Sequence, residues 1–235
     1  MMQLLQNTNL AIQIGNKTKC ANATKFAFDI ALHLANEIGR DRVEDFIKQG
    51  FKKAYGAEVN VSMPWLLSIS KGDLKAALGI RPATSTLFIE QYIDVPIEQA
   101  ISVLAPDVNR HQIAEIGHLY SNSNRFTIPL FMVTAISLLC NNYEYMVFSA
   151  TEHVLSLITR AGINCSQIAK ADVSKLTPPV DNWGSYYDTN PVVVAVSLYD
   201  VVQAISNDKG LASVFADLDE KIARTTEKLN KASSL

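Results

Sequence analysis

From residue 40 onward the apolar positions change their period several times, and each change predicts an element. Val43, Phe46, Ile47, Phe51 and Ala54 recur at three- and four-residue spacing, which predicts an amphipathic helix over Asp41 to Tyr55 with Gly56 as its stop. Trp65 to Ser70 and Leu74 to Ile80 read as two strands joined by a hairpin turn at Lys71-Gly72-Asp73. Leu87 to Asp94 alternates, which predicts a strand with Phe88, Glu90, Tyr92 and Asp94 on one face. Pro96 then opens a short helix to about Leu104. Upstream, Leu10 to Ile14 reads as a short strand, and Ala23 to Ile38 as a helix ended by Gly39.

The central stretch has the clearest order. Gln112 to Tyr120 is a mostly apolar strand that carries the polar Glu115 and His118. A polar loop, Ser121 to Arg125, leads into an apolar helix from Thr127 to about Asn142. Tyr145 to Thr151 is short, apolar and rich in β-formers, hence a buried strand. A strand, a helix and a second strand in this order predict a right-handed crossover between parallel neighbours. Ligands sit at the carboxyl ends of such strands, which directs attention to Glu115, Ser121, Arg125 and Ser149. Glu152 to Ala161 reads as a helix ended by Gly162, and Asn164 to Lys170 and Val192 to Leu198 as strands. Between them lie a Pro178-Pro179 loop and the aromatic run Trp183 to Asp188. In the tail, Leu211, Val214, Phe215, Leu218, Ile222 and Leu229 form a helical stripe. Such a stripe docks on its parent domain or pairs with a second copy as a homodimer.

Composition narrows the classes. Of 235 residues, 48% are hydrophobic and 19% charged, and the net charge is −2, so a globular core is affordable and a phosphate-binding surface for nucleic acid is not expected. Three cysteines without a CxxC argue against a disulfide scaffold or zinc cluster and for a reducing compartment. The four histidines show no ligand spacing, so no metal is expected. The first residues lack a basic start followed by a continuous apolar run, and the longest apolar stretch, Ile128 to Cys140, is too short for a transmembrane segment. A cytoplasmic location is the expectation.

Several local runs add a family. Tyr55-Gly56-Ala57, Met63 to Leu67, Gly79 to Ala83, Leu87 to Asp94 followed by Pro96-Ile97-Glu98, Ala114 to Gly117, Val147 to Thr151 and Trp183 to Asp188 stand together in an order that resembles the thermostable hemolysin family. The order of elements is similar to the GNAT acyltransferases, and to the N-acyltransferases that make acyl-homoserine lactones. The resemblance implies an α/β (α+β) fold with a mixed, mostly antiparallel central sheet, one β-α-β crossover and flanking helices. It covers residues 41–205. Residues 1–40 are then an N-terminal extension packed on the core, and 206–235 a C-terminal helix.

The resemblance also implies roles. The reaction would move a fatty acyl group from a thioester, on acyl carrier protein or coenzyme A, to a small amine, with no tightly bound cofactor. Glu115 would be the base that takes the amine's proton, or a structural carboxylate paired with Arg81 or Arg125. Ser121, Ser123, Asn124 and Arg125 would meet the donor's phosphate at a helix N-terminus, with Ser149 opposite. GNAT enzymes are glycine-rich here and this chain has no glycine in the loop, which suits a carrier protein's single phosphate. Arg81, Glu90, Tyr92, Asp94, Trp183, Tyr186 and Asp188 would line the acceptor or acyl pocket. A Ser149, His118 and Asp188 triad is another arrangement of the same residues, although GxSxG is absent. Two other classes stay open: a directly membrane-lytic protein without enzymatic activity, and a degenerate GNAT domain that only binds a ligand.

Overall fold

The computed structural model describes residues 28–178 and 181–233. Its centre is a seven-stranded sheet in the order β1-β2-β3-β4-β5-β7-β6. The strands are β1 (Asp29–His33), β2 (Trp65–Lys71), β3 (Asp73–Pro82), β4 (Ile113–Ser121), β5 (Tyr145–Ala150), β6 (Ser166–Lys170) and β7 (Val192–Ser197). Every neighbouring pair is antiparallel except β4 and β5, which are parallel. The expected mixed sheet with one crossover is therefore the observed architecture.

Period-2 alternation decides what each face carries. Leu67, Ile69, Leu78, Ile80, Ala114, Ile116, Met146, Phe148, Val194 and Val196 point to one layer. That layer is built by α3 (Asn124–Cys140), α5 (Leu198–Asn207) and the long α6 (Lys209–Ser233). The crossover helix α3 is apolar on every side because it lies inside this layer, with Phe126 to Leu139 almost entirely buried. On the opposite face, Leu66 and Ala77 meet α1 (Arg40–Tyr55) through Val43, Ile47 and Phe51. Beside them, Ile113, Val147, Val193 and Ala195 meet the segment around the short helix α2 (Ile97–Ile101). A further helix, α4 (Glu152–Arg160), follows β5 and is capped by the Thr151 hydroxyl.

The stripe on α6 is covered by the chain itself. Phe215, Leu218, Ile222 and Leu229 belong to the same core as α3 and β1, and Lys228 Nζ ties the helix to the Leu32 carbonyl (2.7 Å) and Glu37 (2.7 Å). Among the described residues, no helix is long and apolar enough to cross a membrane.

Three expectations are corrected. Within Ala23 to Ile38, the described part is not a helix: Asp29–His33 is edge strand β1, paired residue for residue with β2. Ile30 and Leu32 point inward at the two-residue spacing of a strand, and the run pairs with the open edge of β2. Gly39, at φ 87°, then precedes α1 instead of ending a helix. Leu87 to Asp94 is not a strand but a 3-10 turn, Phe88–Tyr92. Its N–H groups are taken by carboxylates: Leu87 N donates to Glu90 (3.0 Å), and Phe88 N and Ile89 N donate to Glu115 (3.1 and 2.9 Å). Leu198 opens α5, a helix the pattern did not announce. The strand expected at Leu10 to Ile14 lies outside the described residues.

Candidate functional site

The sheet opens where its one parallel pair gives out. β4 and β5 are in register only at Ile113 with Tyr145, Ala114 with Met146 and Glu115 with Val147. Beyond Glu115 the two strands continue without pairing. On its other side β4 keeps its ladder with β3 but carries a bulge: Ala77 faces Tyr120 and Gly79 faces Gly117, so His118 and Leu119 together oppose Leu78. His118 takes φ 53°, a left-handed conformation uncommon for a residue with a side chain. The bulge leaves His118 and Leu119 out of the regular β3–β4 ladder. A cavity of about 300 Å³ occupies the gap between β4 and β5, walled by Ile116 to Leu119 of β4, Phe148 and Ser149 of β5, and Thr151 just after it.

The floor is an ion pair set by the ladder. Arg81 on β3 is the registered partner of Glu115 on β4, and Arg81 Nη1 donates to Glu115 Oε2 at 3.2 Å. Arg81 Nη2 also donates to the Ser62 carbonyl (3.1 Å) and hydroxyl (3.0 Å). With the Phe88 and Ile89 amides, Glu115 accepts three donors while its side chain is 2% exposed. Burial pushes its carboxyl up, against the pull of Arg81 and the two amides.

One end of the cavity is apolar, with Leu119, Phe131, Phe148 and Val154. Phe131 and Phe148 meet edge to face at 5.9 Å and close that end. Aromatics roof the middle. The turn after Asn182 is stapled to the end of α1, where Ser185 N donates to the Tyr55 carbonyl (2.9 Å) and Glu58 N to the Asn182 carbonyl (2.6 Å). Gly184, at φ 52°, makes this approach feasible, because a Cβ there would stand 2.0 Å from the Tyr55 oxygen. The staple brings Trp183 and Tyr186 over the gap, with ring centroids 5.4 Å apart. The Tyr186 hydroxyl pairs with Ser149 Oγ at 2.9 Å, and burial pushes this phenol well above its ordinary range, so it keeps its proton. Tyr92 is buried beside it and hydrogen-bonds the Tyr187 hydroxyl.

The other end is polar. Asn60, Ser62, Arg81, Gln91, Thr177 and Asp181 line it. Asp181 accepts from Asn60 twice, from its backbone N (2.9 Å) and its Nδ2 (2.6 Å). His118 lines the cavity too, near Asn60, Arg81 and Asp181. Its Nδ1 is buried with no hydrogen-bond partner among the described residues, and burial together with Arg81 holds its pKa down to about 4, so it is neutral at ordinary pH. Trp183 Nε1 is likewise buried and unpartnered.

The residues singled out in the sequence thus divide into three places. Arg81, Tyr92, Glu115, Ser149, Trp183 and Tyr186 share the cavity. Ser121, Ser123, Asn124 and Arg125 sit at the turn between β4 and α3. There the Ser121 hydroxyl donates to the Ser123 carbonyl (2.7 Å), Asn124 Oδ1 meets His153 Nε2 (3.1 Å), and the Arg125 guanidinium lies 4.6 Å from the Phe126 ring centre. Ser123 occupies the cap position of α3 without a side-chain cap bond. Glu90, Asp94 and Asp188 do not line the cavity. Glu90 is clamped by Arg110 (2.6 and 2.7 Å), which holds its carboxyl down at about 2, and Asp94 pairs with Lys175 (3.1 Å) at the surface. Asp188 is exposed, so the triad with Ser149 and His118 is not assembled. Asn60, Gln91, Thr177 and Asp181 were missed. Asn60, Thr177 and Asp181 stand on loops that no periodicity marks, and Gln91 belongs to the 3-10 turn Phe88–Tyr92.

The comparisons agree with this geometry. A sequence model for the thermostable hemolysin family matches residues 34–202. No curated protein matches the chain. Among solved structures, the AHL synthase LasI is 17% identical with a TM-score of 0.51, covering 73% of this chain and 90% of its own. BjaI, a CoA-dependent acyl-homoserine lactone synthase solved with SAM and isopentyl-CoA, is 11% identical with a TM-score of 0.51, covering 77% of this chain and 89% of its own. TofI, solved with an inhibitor and MTA, is 8% identical with a TM-score of 0.51, covering 78% and 99%. At these identities the likeness is one of fold.

Proposed function

This chain belongs to the thermostable hemolysin family, and we propose that it is a thioester-dependent N-acyltransferase that moves a fatty acyl group to a small amine. The observation that carries this reading is the pairing of β4 with β5 that stops at Glu115 and Val147 and leaves a cavity beside a bulge. A gap between parallel strands accepts a narrow pantetheine arm, and the backbone of the bulge supplies N–H groups for the thioester oxygen. The acyl chain runs towards Phe131 and Phe148, and the acceptor enters from the end at Asn60 and Asp181.

The chemistry follows from positions. The amine nitrogen attacks the thioester carbonyl carbon, a C–N bond forms, and the C–S bond breaks as a thiolate leaves. Tyr186, protonated and paired with Ser149, stands where it can donate to that thiolate. The amine's proton passes to the neutral imidazole of His118, the cavity base with an unengaged nitrogen. Glu115 then acts as the positioning carboxylate that holds Arg81 and the 88–92 turn, since its oxygens already accept three donors. At the mouth, the N-terminus of α3 with Ser121, Ser123, Asn124 and Arg125 faces the donor's phosphate. The acyl thioester, on carrier protein or coenzyme A, is a co-substrate and not a bound cofactor. Lysis, which the family's name carries, would follow from an amphiphilic product.

Mass spectrometry of lipid extracts from cells expressing the chain, compared with cells expressing His118→Gln, tests the reading. New N-acyl amines with the wild type and their loss in the variant are expected. Extracts identical to those of empty cells, with purified protein that still lyses erythrocytes, would establish a directly lytic protein instead.

A further inference from the structure

The two ends of the cavity differ in charge as well as polarity, and that difference selects the acceptor. Among the described residues, the charged side chains lining it are Arg81, Glu115 and Asp181. Arg81 and Glu115 neutralise each other at 3.2 Å, and Arg81 Nη2 donates to the Ser62 carbonyl and hydroxyl. Asp181 has no such compensation among the described residues: its two oxygens accept only from Asn60. His118 is neutral, and Asp181 is close enough for its charge to act on that ring. The acceptor end therefore carries one net negative charge. The Nδ1 of His118, buried in the same wall and without a partner among the described residues, offers an acceptor to an N–H of the bound amine.

We propose that the acceptor is an amine that enters as a cation and has no carboxylate of its own, an alkylamine, amino alcohol or polyamine, with Asp181 as its counter-ion. This rests on the acyl-transfer reading above. An α-amino acid would bring a carboxylate to a wall whose one described guanidinium is already paired, and would face Asp181 with like charge. A cationic amine meets Asp181 on the way in. It then loses one proton to bulk water, so that its lone pair can attack, and the proton left on nitrogen once the C–N bond has formed passes to His118.

A matched pair of acceptors separates the alternatives. Pentylamine is norleucine without its carboxylate, so the two differ only in the group at issue. With octanoyl-coenzyme A and octanoyl-acyl carrier protein each offered as donor, the full chain should acylate pentylamine with a kcat/KM at least tenfold above that for norleucine. Asp181→Asn keeps an oxygen for the Asn60 N–H and removes the charge. It should raise the KM for pentylamine roughly tenfold while changing kcat little. Equal or better use of norleucine, or an unchanged KM in the variant, overturns the proposal. Binding of pentylamine and norleucine, followed by tryptophan fluorescence, reads the same preference without turnover. If neither compound is acylated, the acyl-transfer reading falls. In that case salt-sensitive, Asp181-dependent binding of pentylamine alone still supports the cation site, and equal binding of both rejects it.

Discussion

Arg81 and Glu115 face each other across the β3–β4 ladder, in register, with Nη1 3.2 Å from Oε2. Two in-register residues of a buried ladder cannot move apart without breaking the sheet, so this pair holds the last residue before the strands splay. Removing one partner leaves a buried charge alone. Glu115→Met is expected to lower stability by about 3 kcal/mol or more, and Arg81→Met combined with Glu115→Met by less than the sum of the two single changes. Urea unfolding of the four proteins measures it. Additive losses would mean that the pair does not interact.

Gly184 decides whether the aromatic roof can sit on α1. A Cβ at this position would lie 2.0 Å from the Tyr55 carbonyl oxygen, and the backbone is at φ 52°. Neither obstacle is a flexible side chain. Gly184→Ala is expected to cost roughly 1–3 kcal/mol from its backbone conformation alone. It should also raise exposure of Trp183, seen as a red-shifted, more quenchable fluorescence. An unchanged melting temperature would refute the close approach.

The Phe131–Phe148 contact is placed to end the acyl chain. Phe148→Leu shortens that wall without emptying it. The ratio of kcat/KM for longer over shorter acyl donors should rise by roughly tenfold, the scale of one or two methylenes in an apolar pocket. A series of acyl thioesters of increasing length reads it. A ratio that stays constant would put the chain elsewhere.

Acid should weaken the fold in two steps. His118 is held at about 4 in the folded chain against 6.5 when free, so between these values only the unfolded chain takes its proton. Stability falls as pH drops through that window, by up to roughly 3 kcal/mol. Glu90 is held at about 2 against 4.5 by Arg110, so its contribution is present above 4.5 and lost as pH falls towards 2. Equilibrium unfolding against pH for wild type and His118→Gln should show the upper step vanish in the variant. Two identical profiles would exclude His118 as its source.

What the chain's own order determined was the scaffold. The three- and four-residue spacing from Val43 to Phe51, the hairpin around Gly72 and the strand–helix–strand run through Glu115 and Phe148 are local periodicities, and a local period survives whatever packs against it. Glu115 was legible for the same reason: a carboxylate inside an apolar strand is conspicuous. The tertiary structure decided the rest. Asp29–His33 joined the sheet because β2 had a free edge, and Phe88–Tyr92 left it because Glu90 and Glu115 offered its amides other acceptors. Glu115 itself turned out to be engaged three times, while His118, Asn60 and Asp181 came together from a bulge and two loops. Loop residues carry no period, and the charge a cavity keeps depends on which of its ions find partners in space. Only the folded chain pairs Arg81 with Glu115 and leaves Asp181 to Asn60.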